Sequence, residues 1–493
     1  MIPGTDKPKC FCGIFGVFGS AESSMWTYYG LHALQHRGQE ASGIVSRYVD
    51  SDQKTHLQII KGEGLVSEVF DEFIKENNLL EGNAAIGHNR YSTTGSSNSR
   101  KNIQPFLVNY HNGSIAVAHN GNLTNESKLR TELINEGAIF QTTSDTEVIL
   151  HLIARSKKGD QIDAVIDALN QIEGAFSLLL LTEDKLIAAR DPYGFRPLCL
   201  GKKDGAYVVA SETCALDIIS ATFVRDIEPG EVLIINNESV KTGHPKSIKL
   251  QNTQEYKKHC IFEYIYFSRP DSFIFGHSVD KVRRRLGKLL ARNHPVTDPD
   301  GDKVVVISVP DSSNTAALGY ASELQKMDIP AKFELGLLRS HYIGRTFIQP
   351  GQENRDMKVK IKFNVVKGII ENKTVVVVDD SIVRGTTSKK LISLIREAKP
   401  KSIHLRISSP PITHPCYYGM DFPSKNELIA HQCGEDIERI NRYIGSDTLE
   451  YLSIENILES AREIEKENFC TACFSGVYPT TVDFNFKKDA HEI

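Results

Sequence analysis

Nowhere in the 493 residues does an apolar run approach the ~18 that a membrane span requires, so no transmembrane segment is expected. Charge of one sign is equally scarce: 58 Lys and Arg stand against 62 Asp and Glu, a formal net charge of −4. That balance gives no general attraction to nucleic acid or to an anionic membrane surface. Internal repeats and low-complexity tracts are missing too. The nine cysteines are odd in number and widely scattered, which excludes a secreted disulfide framework and points to a reducing cytosol. The first eleven residues, MIPGTDKPKCF, hold no apolar run and little charge, so they do not read as a secretory signal. What is left is ordinary globular material, 40% hydrophobic and 24% charged, long enough for roughly two to four domains.

Two textures divide the chain. From Cys12 to about residue 250, short strands alternate with Gly- and Asn-rich turns such as GHNRYSTTG, AHNGNLTN and RDPYGFRP, broken by a helical stretch near 144–156. This predicts an α+β region on antiparallel sheets. A polar segment, PKSIKLQNTQEYKKHC, marks a boundary near residue 255. Beyond it KVVVISVP precedes TAALGYASELQKM, and TVVVVDD precedes SKKLISLIREA. That alternation predicts βα units on a parallel sheet covered on both faces. KVRRRLGK, 281–288, has helical spacing and is read as a solvated basic face rather than a binding stripe.

Cys12 opens CGIFGVFG just behind the eleven-residue leader. It reads either as a small buried thiol starting a strand or as a nucleophile. A nucleophilic thiol needs a base, and no histidine is nominated by spacing. Cutting the bond before Cys12 would supply one, since an α-amine has a pKa near 8 and an amide nitrogen is not basic.

CGIFGVFG, LQHRGQEASGI, GHNRYSTTG, AHNGNLTN and TTSDTEVI, in this order, resemble the glutaminase domain of the N-terminal-nucleophile (Ntn) amidotransferases. The resemblance implies an αββα fold and a role for each matching position. Cys12 would attack the side-chain amide of glutamine. Arg90 would hold the substrate carboxylate, a task that suits a guanidinium fork, and Asp145 would pair with the α-amine. Asn120, through its side chain, and Gly121, through its backbone N–H, would form the oxyanion hole. Residues 1–11 would be a propeptide whose removal makes Cys12 the first residue, Cys10 being discarded with it.

A second site is marked by TVVVVDDSIVRGTTSKKL, 374–391. Four valines predict a buried strand. Two carboxylates follow at its carboxyl end, then a Gly- and hydroxyl-rich loop, then a helix. Ligands of open α/β sheets bind at such ends, and a helix start favours phosphate. Paired carboxylates suit ribose hydroxyls and Mg²⁺. The whole string resembles the phosphoribosyl pyrophosphate (PRPP) loop of the type I phosphoribosyltransferases. That implies PRPP bound by Asp379, Asp380, Ser381, Arg384, Gly385, Thr386, Thr387 and Ser388. VVVISVPDSSNTAALGY resembles the family's pyrophosphate loop, and Ser312 would join Asp379 and Asp380 around one Mg²⁺ per subunit. LRSHYIGRTFIQPGQ resembles the mobile loop that closes on PRPP, carrying Tyr342 and Arg345. Relatives often read lysine-asparagine-arginine-tyrosine where this chain has Arg339-Ser340-His341-Tyr342, so the charge offered by position 341 becomes pH-dependent.

Together the two halves resemble the glutamine PRPP amidotransferases from Cys12 to about residue 480. The resemblance implies residues 12–255 as the glutaminase and 256–493 as the transferase. The reaction would be glutamine plus PRPP plus water giving 5-phosphoribosylamine, glutamate and pyrophosphate, opening purine synthesis, with ammonia channelled between the sites. Purine nucleotides of AMP and GMP type would act as feedback inhibitors of a homotetramer. Other enzymes of the same nucleophile class need a sugar-isomerase or an ATP-binding domain, and DDSIVRGTTS fits neither. A non-catalytic metabolite sensor would lack catalytic positions, yet all are present here.

Four further thiols stand at Cys260, Cys416, Cys470 and Cys473, the last two at C-x₂-C spacing in FCTACF. Spacing this dispersed leaves zinc, an iron–sulfur cluster and unligated buried thiols all open. Resemblance to a cluster-bearing subgroup of the family implies one structural [4Fe–4S] cluster per subunit on these four. Cys199, Cys214 and Cys433 read as packing residues.

Overall fold

The computed structural model of the protein describes residues 12–76, 79–91, 100–340, 363–420, 422 and 424–483. Residues 1–11, expected to be a leader, and His341, Tyr342 and Arg345 lie outside the described residues.

Two antiparallel sheets occupy residues 13–249. Their strands are β1 (Gly13–Phe18), β2 (Ala41–Val49), β3 (Thr55–Glu63), β4 (Ala84–Arg90), β5 (Phe106–Tyr110), β6 (Gly113–Leu123), β7 (Gly174–Thr182), β8 (Lys185–Arg190), β9 (Cys199–Lys203), β10 (Ala206–Ala210), β11 (Thr222–Asp226), β12 (Glu231–Asn236) and β13 (Lys246–Lys249). One sheet runs β11-β9-β10-β1-β4-β2-β3, the other β13-β12-β8-β7-β6-β5. Alternation along single strands explains the layering. In β1, Ile14 and Phe18 enter the core between the sheets, while Phe15 and Val17 pack under the helix Ser23–Ala33 with Trp26 and Leu31. In β7, Leu179 and Leu181 face the other sheet, whereas Phe176, Leu178 and Leu180 meet the helices Thr146–Arg155 and Gln161–Leu169. A strand buried on both faces reads as a continuous apolar run, and LLLL is that run. The result is the expected α-β-β-α sandwich.

The second half carries β14 (His259–Cys260), β15 (Phe273–Ile274), β16 (His277–Ser278), β17 (Val304–Ser308), β18 (Ala331–Phe333), β19 (Leu337–Arg339), β20 (Phe363–Val365), β21 (Thr374–Asp379), β22 (Ser402–Ile407), β23 (Thr448–Tyr451) and β24 (Phe469–Cys470). The order β18-β17-β21-β22-β23 forms a parallel sheet. Val376 and Val378 face the core shared with the helices Val279–Asn293 and Asn314–Lys326, and Val375 and Val377 face that of Thr386–Arg396 and Ile437–Ile444. Both faces are covered, as the βα alternation requires. No helix among the described residues is long and apolar enough to cross a membrane.

One expectation fails here. The basic run on Val279–Asn293 is not a solvated face throughout, because Arg283 is only 2% exposed. Its Nε and Nη2 donate to the carbonyls of Tyr264 and Ser268 at 2.7 Å each, and those acceptors make its burial tolerable. Arg284 and Arg285 do keep to the surface, paired with Asp280 and Glu463. A charge pattern read at helical spacing cannot tell which of three consecutive arginines turns inward.

Candidate active sites

Sheet pairing gathers the first set of candidate residues. Cys12 precedes β1, and β1 pairs with β4, which ends at Arg90. Asn120 and Gly121 lie in β6, and Asp145 immediately precedes the helix Thr146–Arg155. Cys12, Arg90, Gly121 and Asp145 line one cavity of about 270 Å³, counting its open mouth. Cys12 Sγ donates to the Tyr91 carbonyl at 3.5 Å. Burial, only partly offset by that contact and by Arg90, pushes the thiol up to about 11. At neutral pH such a thiol stays protonated, so the sulfur needs a base to react. Arg90 is 5% exposed, which excludes a surface ion pair as its role.

Asn120 is wholly buried, and neither its Oδ1 nor its Nδ2 has a hydrogen-bond partner among the described residues. A buried amide left unpaired costs about 1–3 kcal/mol, so its atoms await a partner that a ligand can supply. Beside it Gly121 has φ +156°, and a Cβ there would stand 2.0 Å from the Ala175 carbonyl oxygen. Only glycine lets the strand run this close to β7. Asp145 is 3% exposed; its Oδ2 accepts from Leu123 N–H at 3.0 Å and lies 3.7 Å from His119 Nδ1.

The cavity wall also holds residues that sequence reasoning passed over: Tyr91, Asn102, Gln104, His119 and Ser144. His119 stands next to Asn120 in the AHNGNLTN motif, which was the available signal. Its N–H donates to Gln104 Oε1 at 2.8 Å, and its ring lies 3.1 Å from Thr146 Oγ1, so it is held as part of the wall. Asn102 holds Thr143 reciprocally, Nδ2 donating at 2.9 Å and Oδ1 accepting from Thr143 N–H at 3.1 Å. Behind them His88, fully buried, is pushed down to about 3, chiefly by burial.

The second set comes together mostly by local chain geometry, with Ser312 and Ser313 brought in by the pairing of β17 with β21. Asp379 ends β21, and Asp380 and Ser381 open the loop that leads to the helix Thr386–Arg396. Ser312 Oγ donates to Asp380 Oδ2 at 2.5 Å, Ser313 Oγ to Asp379 Oδ1 at 3.1 Å, and Ser381 Oγ to Asp380 Oδ1 at 2.8 Å. Gly385 caps the helix at φ +75°, with no side chain over the first-turn N–H groups. A left-handed glycine at a helix start lets the backbone approach an anion closely, and the helix dipole favours one there. Thr387 and Ser388 are buried in that first turn. Arg384 reaches Glu427 at 3.4 Å, and Arg339 reaches Asp311 at 3.2 Å.

The four candidate ligand cysteines also converge. β14 and β24 pair in parallel with Cys260 opposite Cys470, and Cys473 follows in the next turn. Tyr418 N–H donates to Cys416 Sγ at 3.3 Å. Burial raises Cys473 well above the ordinary thiol value, with Cys260, Cys416 and Cys470 adding to the rise. Still, among the described residues no three His, Cys, Asp or Glu side chains form a group ready to hold a metal ion. All eight described cysteines are free thiols; Cys199 and Cys214 are buried, and Cys433 is half-buried.

Comparison with known proteins agrees with both regions. Residues 88–217 match the family described as "Glutamine amidotransferase domain". Amidophosphoribosyltransferase 2, chloroplastic, of Arabidopsis thaliana is 51% identical over 479 residues, covering 96% of this chain and 80% of the relative. Amidophosphoribosyltransferase of Bacillus subtilis (strain 168) is 47% identical over 475 residues, covering 96% and 94%. A solved structure titled as the allosteric regulatory enzyme of purine biosynthesis superposes with a TM-score of 0.87 at 45% identity, covering 97% of this chain and 99% of its own. The glutamine PRPP amidotransferase of B. subtilis, solved with ADP and GMP, gives 0.85 at 46% identity, covering 96% and 98%. With half its residues shared across nearly its whole length, the chain belongs to the amidophosphoribosyltransferase family.

Proposed function

We propose that this chain hydrolyses glutamine at Cys12 and passes the ammonia to PRPP, giving 5-phosphoribosylamine, glutamate and pyrophosphate. The observation that carries the reading is the presence in one chain of the Cys12 cavity and the Asp379–Ser388 loop, in a fold shared with the purine enzyme. We assign residues 1–11 as a removed leader, 12–255 as the glutaminase and 256–493 as the transferase.

In the first half-reaction the Cys12 sulfur attacks the glutamine amide carbon. The α-amine freed by loss of the leader takes the thiol proton and returns it to the departing ammonia. Asn120 Nδ2–H and Gly121 N–H take the charge that grows on the carbonyl oxygen, and the unpaired Asn120 amide supports that assignment. Water then cleaves the thioester to glutamate. Arg90 and Asp145 hold the substrate's carboxylate and amine. In the second half-reaction ammonia attacks C1 of the ribose and pyrophosphate leaves. Asp379 and Asp380 orient the ribose hydroxyls, and Arg384, Gly385, Thr386, Thr387 and Ser388 hold the 5′-phosphate. Two buried carboxylates beside the Ser312 hydroxyl fit Mg²⁺, which keeps few protein ligands and takes the rest from substrate phosphates. Bound there, Mg²⁺ would neutralise charge on the leaving pyrophosphate.

We assign Cys260, Cys416, Cys470 and Cys473 to a structural [4Fe–4S] cluster. Three buried thiols and the half-buried Cys416, close enough that Cys260, Cys416 and Cys470 add to the rise at Cys473, are a donor set that a cation would relieve. Purine nucleotides as inhibitors, by analogy with the ADP and GMP complex of the B. subtilis enzyme, a homotetramer, and a cytosolic location complete the reading. Incubation with glutamine and PRPP, measuring pyrophosphate, tests the activity. Intact-mass analysis of active protein should show a chain starting at Cys12, and anaerobic preparations should carry iron with an absorbance band near about 400 nm. Stoichiometric zinc without iron would overturn the cluster assignment.

A further inference from the structure

A set of buried ionic side chains lies between the two halves and belongs to neither site. Arg37 follows the helix Ser23–Ala33, and its Nη2 donates to Glu263 Oε2 at 2.6 Å and to Ser268 Oγ at 3.2 Å. Its Nε donates to Glu212. Glu212 also accepts from Ser272 Oγ at 2.6 Å and from Arg269 N–H at 2.9 Å. Arg196 donates to Glu263 Oε1 at 3.3 Å and to the Tyr418 carbonyl at 2.7 Å. Arg37, Arg196 and Glu212 come from the first half, Glu263, Ser268 and Ser272 from the second, and all six are 1% exposed or less. Buried charge pairs seldom stabilise a fold more than apolar packing would, so the arrangement invites a role in function.

Each end of the set reaches one of the sites. On the glutamine side, Gly38 presses against the neighbouring strand so closely that a Cβ would lie 2.7 Å from the Asn89 carbonyl carbon and 2.8 Å from that of Arg90. Glu40 N–H donates to the Arg90 carbonyl at 3.2 Å. On the other side, Glu263 opens the π-turn Glu263–Phe267, whose Tyr264 carbonyl, like that of Ser268, is gripped by Arg283. Arg283 rides on the helix Val279–Asn293, which meets Asn314–Lys326 backbone to backbone: a Cβ on Gly287 would stand 1.8 Å from the Ala316 carbonyl oxygen, and one on Gly319 would stand 2.2 Å from that of Arg284. Asn314–Lys326 begins directly after Ser312 and Ser313, whose hydroxyls bond Asp379 and Asp380.

We propose that Arg37 and Glu263 are positioning residues that carry the occupancy of the PRPP site to Arg90 in the glutamine cavity. The proposal rests on the functional reading above. A ligand engaging Ser312 and Asp380 moves the start of Asn314–Lys326. Two helices in backbone contact at Gly287 and Gly319 pass that movement on rather than absorbing it. Arg283 brings it to the π-turn, a backbone form with a register to yield. The Arg37–Glu263 fork then shifts residues 37–40 against Arg90.

Glu263→Gln tests this, since it keeps the shape and removes the charge. Glutamine hydrolysis without PRPP should match wild type within about twofold, and so should ammonia-dependent synthesis and the KM for PRPP. Stimulation of hydrolysis by PRPP should fall by about fivefold or more, and Arg37→Gln added to Glu263→Gln should lose no further stimulation. Hydrogen exchange on the wild-type enzyme gives a readout that needs no variant: PRPP alone should change exchange in residues 37–40 and 263–268. A folded Glu263→Gln enzyme with wild-type stimulation overturns the proposal, as do additive losses or wild-type exchange indifferent to PRPP; should Glu263→Gln fail to fold, the exchange result decides. A wild-type enzyme that forms no pyrophosphate from glutamine and PRPP would instead strike the functional reading.

Discussion

The cavity around Cys12 takes its walls from residues 12 to 145, brought together by strand pairing, whereas the acidic loop takes its groups from one run, Asp379 to Ser388, with help from Ser312 and Ser313. In the first, polar atoms are deeply buried and one amide is left unpaired. In the second, the carboxylates are already bonded to hydroxyls, and Arg384 leans on an exposed Glu427. The difference teaches that the proposed glutamine site is a buried polar mould with a donor left unpaired, in keeping with acyl chemistry that needs preplaced donors. The proposed phosphate site is a cradle whose groups already hold protein partners and would exchange them for a ligand.

If the two sites are separable in this way, single substitutions should divide the activities cleanly. The largest effect is expected from Cys12→Ala, which should lower glutamine-dependent synthesis by about 10⁴-fold or more while ammonia-dependent synthesis continues; parallel assays with glutamine and with ammonium chloride check this. Asp380→Asn should do the reverse, reducing synthesis from either nitrogen source by about 10²–10³-fold and leaving glutamine hydrolysis without PRPP intact. Asn120→Ala should cost about 10²–10³ in glutamine kcat. Because its amide is unpaired in the resting protein, the same change should leave thermal stability equal or higher, which calorimetry can read.

Acid should touch the mould before the cradle. His88 is held down to about 3 by burial, so the ring is neutral in the fold and gains a proton on unfolding below its ordinary value of 6.5. Stability is therefore full above about pH 6.5 and is lost as pH falls toward about 3, at up to roughly 1.4 kcal/mol per unit. Urea midpoints between pH 7 and pH 5 should drop less in His88→Gln than in wild type. Smallest of all is the expected effect of Glu427→Gln. Its pair with Arg384 is exposed, so releasing the guanidinium should lower the KM for PRPP by about threefold at most, and less at high salt.

Legibility followed the same division. DDSIVRGTTS could be read directly because strand end, loop and helix start are contiguous, so local rules place every group. Cys12, Arg90, Asn120, Gly121 and Asp145 were legible as ordered motifs, yet nothing in their spacing showed that Gln104 and His119 share their cavity, since that follows from the pairing of β5 with β6, which brings Gln104 to the His119 N–H. Arg283 was misread because burial of an arginine depends on carbonyls offered by another segment. Arg37 stands inside the LQHRGQEASGI motif, but its pairing with Glu212 and Glu263 was not legible, for a charge pair that spans both halves has no periodicity.

The pairing of His259–Cys260 with Phe469–Cys470 sets an order on biosynthesis. The ribosome delivers the second partner about two hundred residues after the first, when both sheets of the sandwich have long since emerged. A nascent chain stalled or truncated before Phe469 would therefore expose Cys260 to oxidants on an otherwise folded first half. Cells making this protein would need to keep that thiol reduced, or sheltered, until translation ends.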